Sequence, residues 1–183
     1  MIPKDAQDFD EVWDVFIHNS KVYFCTFQGI YVYDGQQVDV VNRKGGFNRS
    51  FEVGNLLFTQ SDSGELFKID DLTLEDAWQQ TDSGDIVIGV ISKDEGYLLF
   101  YNSGRIEFST RLKVEAVYPK LTQTLQGKYV NNVTQLSDTR LVIATQRAGL
   151  FLFDHRTNSI ENISKENGLQ SNACLRAFQD HSG

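Results

Sequence analysis

Leu141-Val-Ile-Ala-Thr-Gln-Arg-Ala-Gly-Leu-Phe-Leu-Phe-Asp154 consists of two short apolar runs on either side of a polar break, with Gly149 directly ahead of the second run. Strand-length runs bounded by turn residues predict two antiparallel strands joined by a tight loop. The same device occurs three times earlier. Val22–Thr26 precedes Gly29–Asp34, Leu56–Gln60 precedes Gly64–Asp70, and Tyr97–Tyr101 precedes Gly104–Phe108. The glycines at 29, 64, 104 and 149 are spaced by 35, 40 and 45 residues. A unit returning at about 40–50 residues marks a blade repeat. The expected fold is all-β: a β-propeller of four-stranded antiparallel blades, present here as an incomplete segment of about four blades.

Blades are expected at about 11–43, 47–80, 85–119 and 129–164, with the first strand of a further blade in 171–183. Residues 1–10 form a polar lead-in and 120–128 a polar connection. No long segment has a helical period. Each of the four glycines is expected to open a third strand. Because side chains alternate across a strand, Val22, Phe24, Leu57, Leu98, Val142, Phe151 and Phe153 are expected in the packing between blades.

Composition narrows the function. Hydrophobic residues at 40% with 12% aromatics fit a folded core and argue against disorder. The formal charge is −8 with scattered acids, whereas a polyanionic partner requires a basic stripe, so nucleic acid is excluded as a partner. No run is long enough to span a bilayer, and Met1-Ile-Pro-Lys-Asp5 lacks a signal-peptide core, so membrane attachment is expected only through a parent chain. Cys25 and Cys174 are read as small hydrophobes, not as a disulfide.

Residues 132–183 resemble the propeller repeat of two-component regulators, which builds the sensor regions of hybrid histidine kinases. The matching features are Asp138, Thr145, Ala148-Gly149-Leu150, Phe153-Asp154 and Gly168-Leu169-Gln170-Ser171-Asn172, with Asp180 and Gly183 opening another turn. The first blade matches through Thr26, Gln28-Gly29-Ile30 and Tyr33-Asp34. The tryptophan common in that family's second strand is absent from every blade, and the second and third blades keep little beyond the glycine. The resemblance implies a periplasmic or otherwise extracytoplasmic sensing segment of a membrane-anchored parent with an attached kinase, in a group some of whose propellers sense oligosaccharides.

No catalytic constellation assembles. There is no nucleophile elbow, no phosphate-cradling loop and no Ser-His-Asp order. Ser92-Lys-Asp-Glu-Gly96 resembles the Asp-box turn of sialidase propellers but lacks its aromatic anchor. His18, His155 and His181 lie in expected turns without metal-ligand spacing. The aspartates of the Asp62–Gly64, Asp82–Gly84 and Asp180–Gly183 turns are read as turn formers. No metal and no cofactor are expected. In a propeller the loops between second and third strands share one face with the loops between blades. That places Gln28, Asn102, Tyr129, Asn131, Gln146, Arg147 and Asn172 on or near a ligand face, where an arginine, amides and a tyrosine suit sugar hydroxyls or a carboxylate.

The leading expectation is a non-catalytic, ligand-sensing propeller segment that recognises a carbohydrate or other small ligand and self-associates. The alternatives are a protein-binding scaffold propeller and a carbohydrate-active enzyme. The ends add a further expectation: four strands from Val12 to Val41 already complete the first blade, and 173–178 supply an unpartnered strand. The chain is therefore expected to form an open arc with apolar ends that seek a neighbour.

Overall fold

The computed structural model describes Lys4 and residues 11–78, 85–110 and 113–179. The rest of the polar lead-in, the end of the second blade at 79–80, the Asp82–Gly84 turn, His181 and the Asp180–Gly183 turn lie outside the described residues. The chain divides into two compact units, Met1–Gly84 and Asp85–Gly183. Each contains two four-stranded antiparallel sheets in simple meander order, so the fold is all-β and built of propeller blades, as expected.

The first unit comprises β1 (Asp14–His18), β2 (Lys21–Cys25), β3 (Gly29–Tyr33) and β4 (Val38–Asn42), then β5 (Phe47–Val53), β6 (Leu56–Ser61), β7 (Leu66–Asp70) and β8 (Thr73–Trp78). Strand register decides which side chains share a face. Cys25 stands opposite Ile30 and Ile30 opposite Val41, while Tyr23 stands opposite Phe16 and Val32. These residues form one face of the first sheet, and they meet Phe47, Leu57, Ile69 and Leu74 of the second in a single apolar cluster. Val22 and Phe24 have the opposite parity. They lie half-buried on the other face, beside Val15 and Ile17, which are 53% and 75% exposed. The expectation that Val22 and Phe24 fill the interface between blades is therefore corrected: Tyr23 and Cys25 do.

The second unit comprises β9 (Val87–Lys93), β10 (Gly96–Tyr101), β11 (Ile106–Ser109) and β12 (Val114–Ala116), an α-helix α1 (Pro119–Leu125), then β13 (Val130–Gln135), β14 (Arg140–Thr145), β15 (Gly149–Asp154) and β16 (Ser159–Ile163). Leu98, Phe100 and Ile106 of one sheet meet Leu141, Ile143, Phe151 and Phe153 of the other. Val142 is buried, but on the opposite face of β14 from that cluster. The helix corrects the expected polar connection at 120–128. Pro119 occupies its first turn, where a missing N–H costs nothing. Leu121 and Leu125, one turn apart, drop into the cluster fully buried.

Two of the four glycines open third strands and two do not. Gly29 and Gly149 are the first residues of β3 and β15. Gly64 and Gly104 instead close the preceding turns, two residues before β7 and β11. In the third blade the Gly104 N–H donates to the Tyr101 carbonyl and Tyr101 N–H to the Arg105 carbonyl. Gly104 has φ +95°, the left-handed residue that a three-residue hairpin loop with a bulge requires. The segment 173–178 is also corrected: it forms no strand ladder and runs as irregular chain along the fourth sheet.

Phe151 is 3% exposed and sits in the shared cluster. Its replacement by alanine is expected to cost about 3–5 kcal/mol in denaturant unfolding. A loss near zero would mean that the hairpin does not pack as described.

Candidate ligand-binding site

The β14–β15 hairpin of the second unit is closed by a buried hydroxyl. Thr145 Oγ1 donates to the Gly149 carbonyl (2.9 Å) and accepts from the Ala148 N–H (3.0 Å). Thr26 does the same in the first unit, donating to the Gly29 carbonyl (2.9 Å) and accepting from its N–H (3.1 Å). Both threonines are fully buried, so the hydroxyl satisfies backbone groups that would otherwise be stranded. Gly149 has φ +80°, and a Cβ there would stand 2.2 Å from the Ile163 carbonyl oxygen. The loop is thereby pinned, with Gln146 and Arg147 exposed at its tip.

Three more predicted residues arrive beside that tip. Tyr129 precedes β13 in the left-handed region (φ +55°), and its carbonyl accepts the Gln146 N–H (2.9 Å). Its ring, 46% exposed, lies under the Arg147 guanidinium at 4.4 Å. Asn131 is the extra residue of a β-bulge, since Val130 pairs with Thr145 and Asn132 already with Ala144. A bulge re-aims the side chain it frees. Here Asn131 Nδ2 donates to Gln146 Oε1 (3.0 Å) and to the Cys174 carbonyl (2.9 Å). Tyr129, Asn131, Gln146 and Arg147 therefore form one exposed cluster, and Arg147 has no carboxylate within 4 Å among the described residues. A planar cation, two amides and an aromatic ring can hold a carboxylate or a row of hydroxyls.

The other predicted residues serve differently. Asn102 braces the third sheet against β13, its Nδ2 donating to the Val130 carbonyl (2.8 Å) and its own carbonyl accepting Val130 N–H (2.9 Å). Asn172 ties the chain after β16 to the hairpin: its carbonyl accepts Gly149 N–H (2.8 Å) and its Oδ1 accepts Lys165 N–H (2.7 Å). Gln28 is exposed in the β2–β3 loop of the first unit.

The aspartates after the third strands are caps. Asp34 Oδ1 accepts the N–H groups of Gln36 and Gln37, and Asp154 Oδ1 those of Arg156 and Thr157. Bonds from Gln37 and Gln36, and from Thr157 and Arg156, hold the two carboxyls below the usual range.

A charged network on the third sheet escaped the sequence reading. Arg105 bonds Glu107 (2.7 Å) and Asp85 (3.3 Å), stacks 3.8 Å over the Tyr101 ring, and Tyr101 Oη donates to Glu107 (2.7 Å). Ser103 Oγ donates to Asp85 (2.6 Å). The only signal was period two: Arg105, just ahead of β11, and Glu107 within it are two residues apart, and Tyr101 at the end of β10 bonds the Arg105 carbonyl. With each carboxylate engaged, this network is structural. An open cavity of about 340 Å³ lined by Lys93, Leu98, Phe108, Glu115, Val117 and Tyr118 shares no residue with the loop cluster, and Lys93 there donates to Tyr118 Oη.

No protein-family profile matches the chain. A search of curated proteins likewise finds no match. Solved structures do share the fold. The extracellular domain of the hybrid two-component system BT3049 from B. thetaiotaomicron aligns at TM-score 0.70 and 19% identity, covering 97% of this chain and 26% of that one. The corresponding domain of BT4673 from the same organism aligns at TM-score 0.68 and 13% identity, over 100% and 26%. YCF48 from Cyanidioschyzon merolae aligns at 0.65 and 12%, over 92% and 64%. The chain thus spans about a quarter of the length of these two extracellular domains and shares the fold of the part it matches.

Burial first, and then the bond to Glu107, push the Tyr101 phenol above its ordinary value of 10.0. The raised folded value means that the unfolded chain releases this proton first. The stability it contributes is full below pH 10.0 and is lost as pH rises from there through the folded value. Burial raises the Tyr23 phenol as well, so ultraviolet titration should show Tyr101 and Tyr23 among the late-ionising members of the seven tyrosines, and Tyr101→Phe should shrink that late phase by one tyrosine. An unchanged late amplitude in the variant would refute the assignment.

Proposed function

We propose that this chain is a non-catalytic sensor segment in an extracytoplasmic region, whose loop cluster at Tyr129, Asn131, Gln146 and Arg147 recognises an oligosaccharide and reports to an attached kinase. The observation behind this reading is the cluster itself: four of the seven residues predicted from the sequence meet at one place, pinned by Thr145 and a bulge. The shared fold with extracellular domains of two-component systems supports the sensor role. The chemistry favours acidic sugars over neutral ones. Arg147 supplies a planar fork for a carboxylate, and Asn131 and Gln146 supply amides for flanking hydroxyls. Tyr129 supplies a ring on which a sugar face can lie.

The test is a glycan array bearing neutral and uronic-acid oligosaccharides, followed by calorimetry on the hits. A charge-assisted hydrogen bond contributes about 1.5–3 kcal/mol, so Arg147→Ala should weaken an acidic ligand roughly tenfold to a hundredfold. The thermal midpoint should stay unchanged, because Arg147 is exposed. Absence of binding to any glycan, or equal affinity in the variant, would overturn the reading.

A further inference from the structure

The Ser92-Lys-Asp-Glu-Gly96 turn, which the loop cluster does not use, borders the open cavity of about 340 Å³ in the second unit. It joins β9 to β10, so it lies at the end of the third sheet opposite the β10–β11 loop. The cavity floor is apolar. Leu98 is fully buried there, and Phe108 and Val117 pack against the shared cluster. Gly96 makes room for the Phe108 ring beside the turn: a Cβ at that position would stand 2.8 and 3.0 Å from its Cζ and Cε2. Tyr118 supplies a second aromatic wall. Its backbone is in the left-handed region (φ +53°), which bulky residues rarely adopt, and its ring meets Phe153 edge-on at 4.9 Å.

The polar groups of the lining divide by sign. Lys93 Nζ donates to Tyr118 Oη and stands 5.0 Å from the centre of that ring. No carboxylate lies within 4 Å of it among the described residues. Because the Tyr118 oxygen accepts from Lys93, its own proton is left for another acceptor. Asp94, the next residue, is exposed and has no cation within 4 Å among the described residues. Glu115 differs, since Lys113 already engages its carboxylate. One ammonium, one hydroxyl and one carboxylate therefore border an aromatic and aliphatic hollow, and the two charges come from consecutive residues.

We propose that this cavity binds a free aromatic α-amino acid, at a site separate from the loop cluster and independent of its ligand. The carboxylate of the amino acid meets the Lys93 ammonium and the Tyr118 hydroxyl, and its ammonium meets Asp94. Its ring enters beside Phe108 and Tyr118, over Leu98 and Val117. An α-amino acid carries both charges on one carbon, which matches a cation and an anion presented by adjacent residues. Small-molecule sites span about 300–1,000 Å³, so a cavity of about 340 Å³ suits a single ring rather than a polymer.

Calorimetric titration of the 183-residue chain with L-phenylalanine tests the proposal. Phenylpropionate lacks the ammonium and phenethylamine lacks the carboxylate, so each should bind about tenfold more weakly. Lys93→Gln and Asp94→Asn should each lower the affinity for phenylalanine by about the same factor. Asparagine tolerates the left-handed backbone of Asp94 (φ +51°), and glutamine keeps a donor toward Tyr118, so circular dichroism should not change. Backbone amide resonances that shift with phenylalanine should fall at 93–98 and 115–118. Absence of phenylalanine binding to the wild-type chain would overturn the proposal. So would undiminished affinity for either analogue or in either variant. Resonance shifts centred on Tyr129 and Arg147 would also overturn it, by placing the amino acid at the loop cluster.

Discussion

Alternate side chains buried between facing sheets are the constraint on which this protein depends. A four-stranded meander presents two faces, and a strand side chain can reach only one of them. In the first unit the rows through Cys25 and Tyr23 meet those through Leu57 and Ile69. In the second, the rows through Phe100 and Leu98 meet those through Ile143 and Leu141. A one-residue slip in any of these strands would send its whole apolar set to the wrong side, so register and packing fix each other.

The hairpin loops are built so that this register can hold. Thr26, directly after β2, and Thr145, the last residue of β14, bond the loop backbone through a buried hydroxyl, and Asp34 and Asp154 cap the turns that follow the third strands. In the second blade Ser61 takes the threonine's place and accepts the Glu65 N–H through its hydroxyl. In the third, Tyr101 occupies the position and spends its hydroxyl on Glu107 instead. The repeat motif is thus physically legible where the loop needs a hydroxyl, and it fades where a left-handed glycine and a bulge close the turn.

The candidate site grows from the same devices. Thr145 and Gly149 hold the loop that presents Gln146 and Arg147, and the bulge at Asn131 turns an amide toward Gln146 and the Cys174 carbonyl. Packing alone would have pointed Asn131 elsewhere. A strand defect next to a pinned loop concentrates four polar or aromatic groups in a small exposed area, while Asn102 and Asn172 hold the surrounding backbone in place.

The sequence by itself determined the blades. Period-two apolar runs and recurring glycines are local signals, and each blade is a local meander, so strand positions came out close to the observed ones. The motif at Thr145, Gly149 and Asp154 was readable because each residue acts within its own hairpin. Tertiary structure decided the rest. Which parity of β2 is buried depends on which side another sheet stands, and nothing inside Lys21–Cys25 records that, so Val22 and Phe24 were assigned to the wrong face. The helix at Pro119–Leu125 is too short to show a period, and it is fixed by Leu121 and Leu125 finding an apolar cluster made by other strands. The Arg105 network and the joining of Asn131 to residues 146 and 174 rest on partners brought together by sheet register and by the path of chain 172–178. Contacts of that kind are a property of the folded chain, because their free energy appears only once distant strands are already in place.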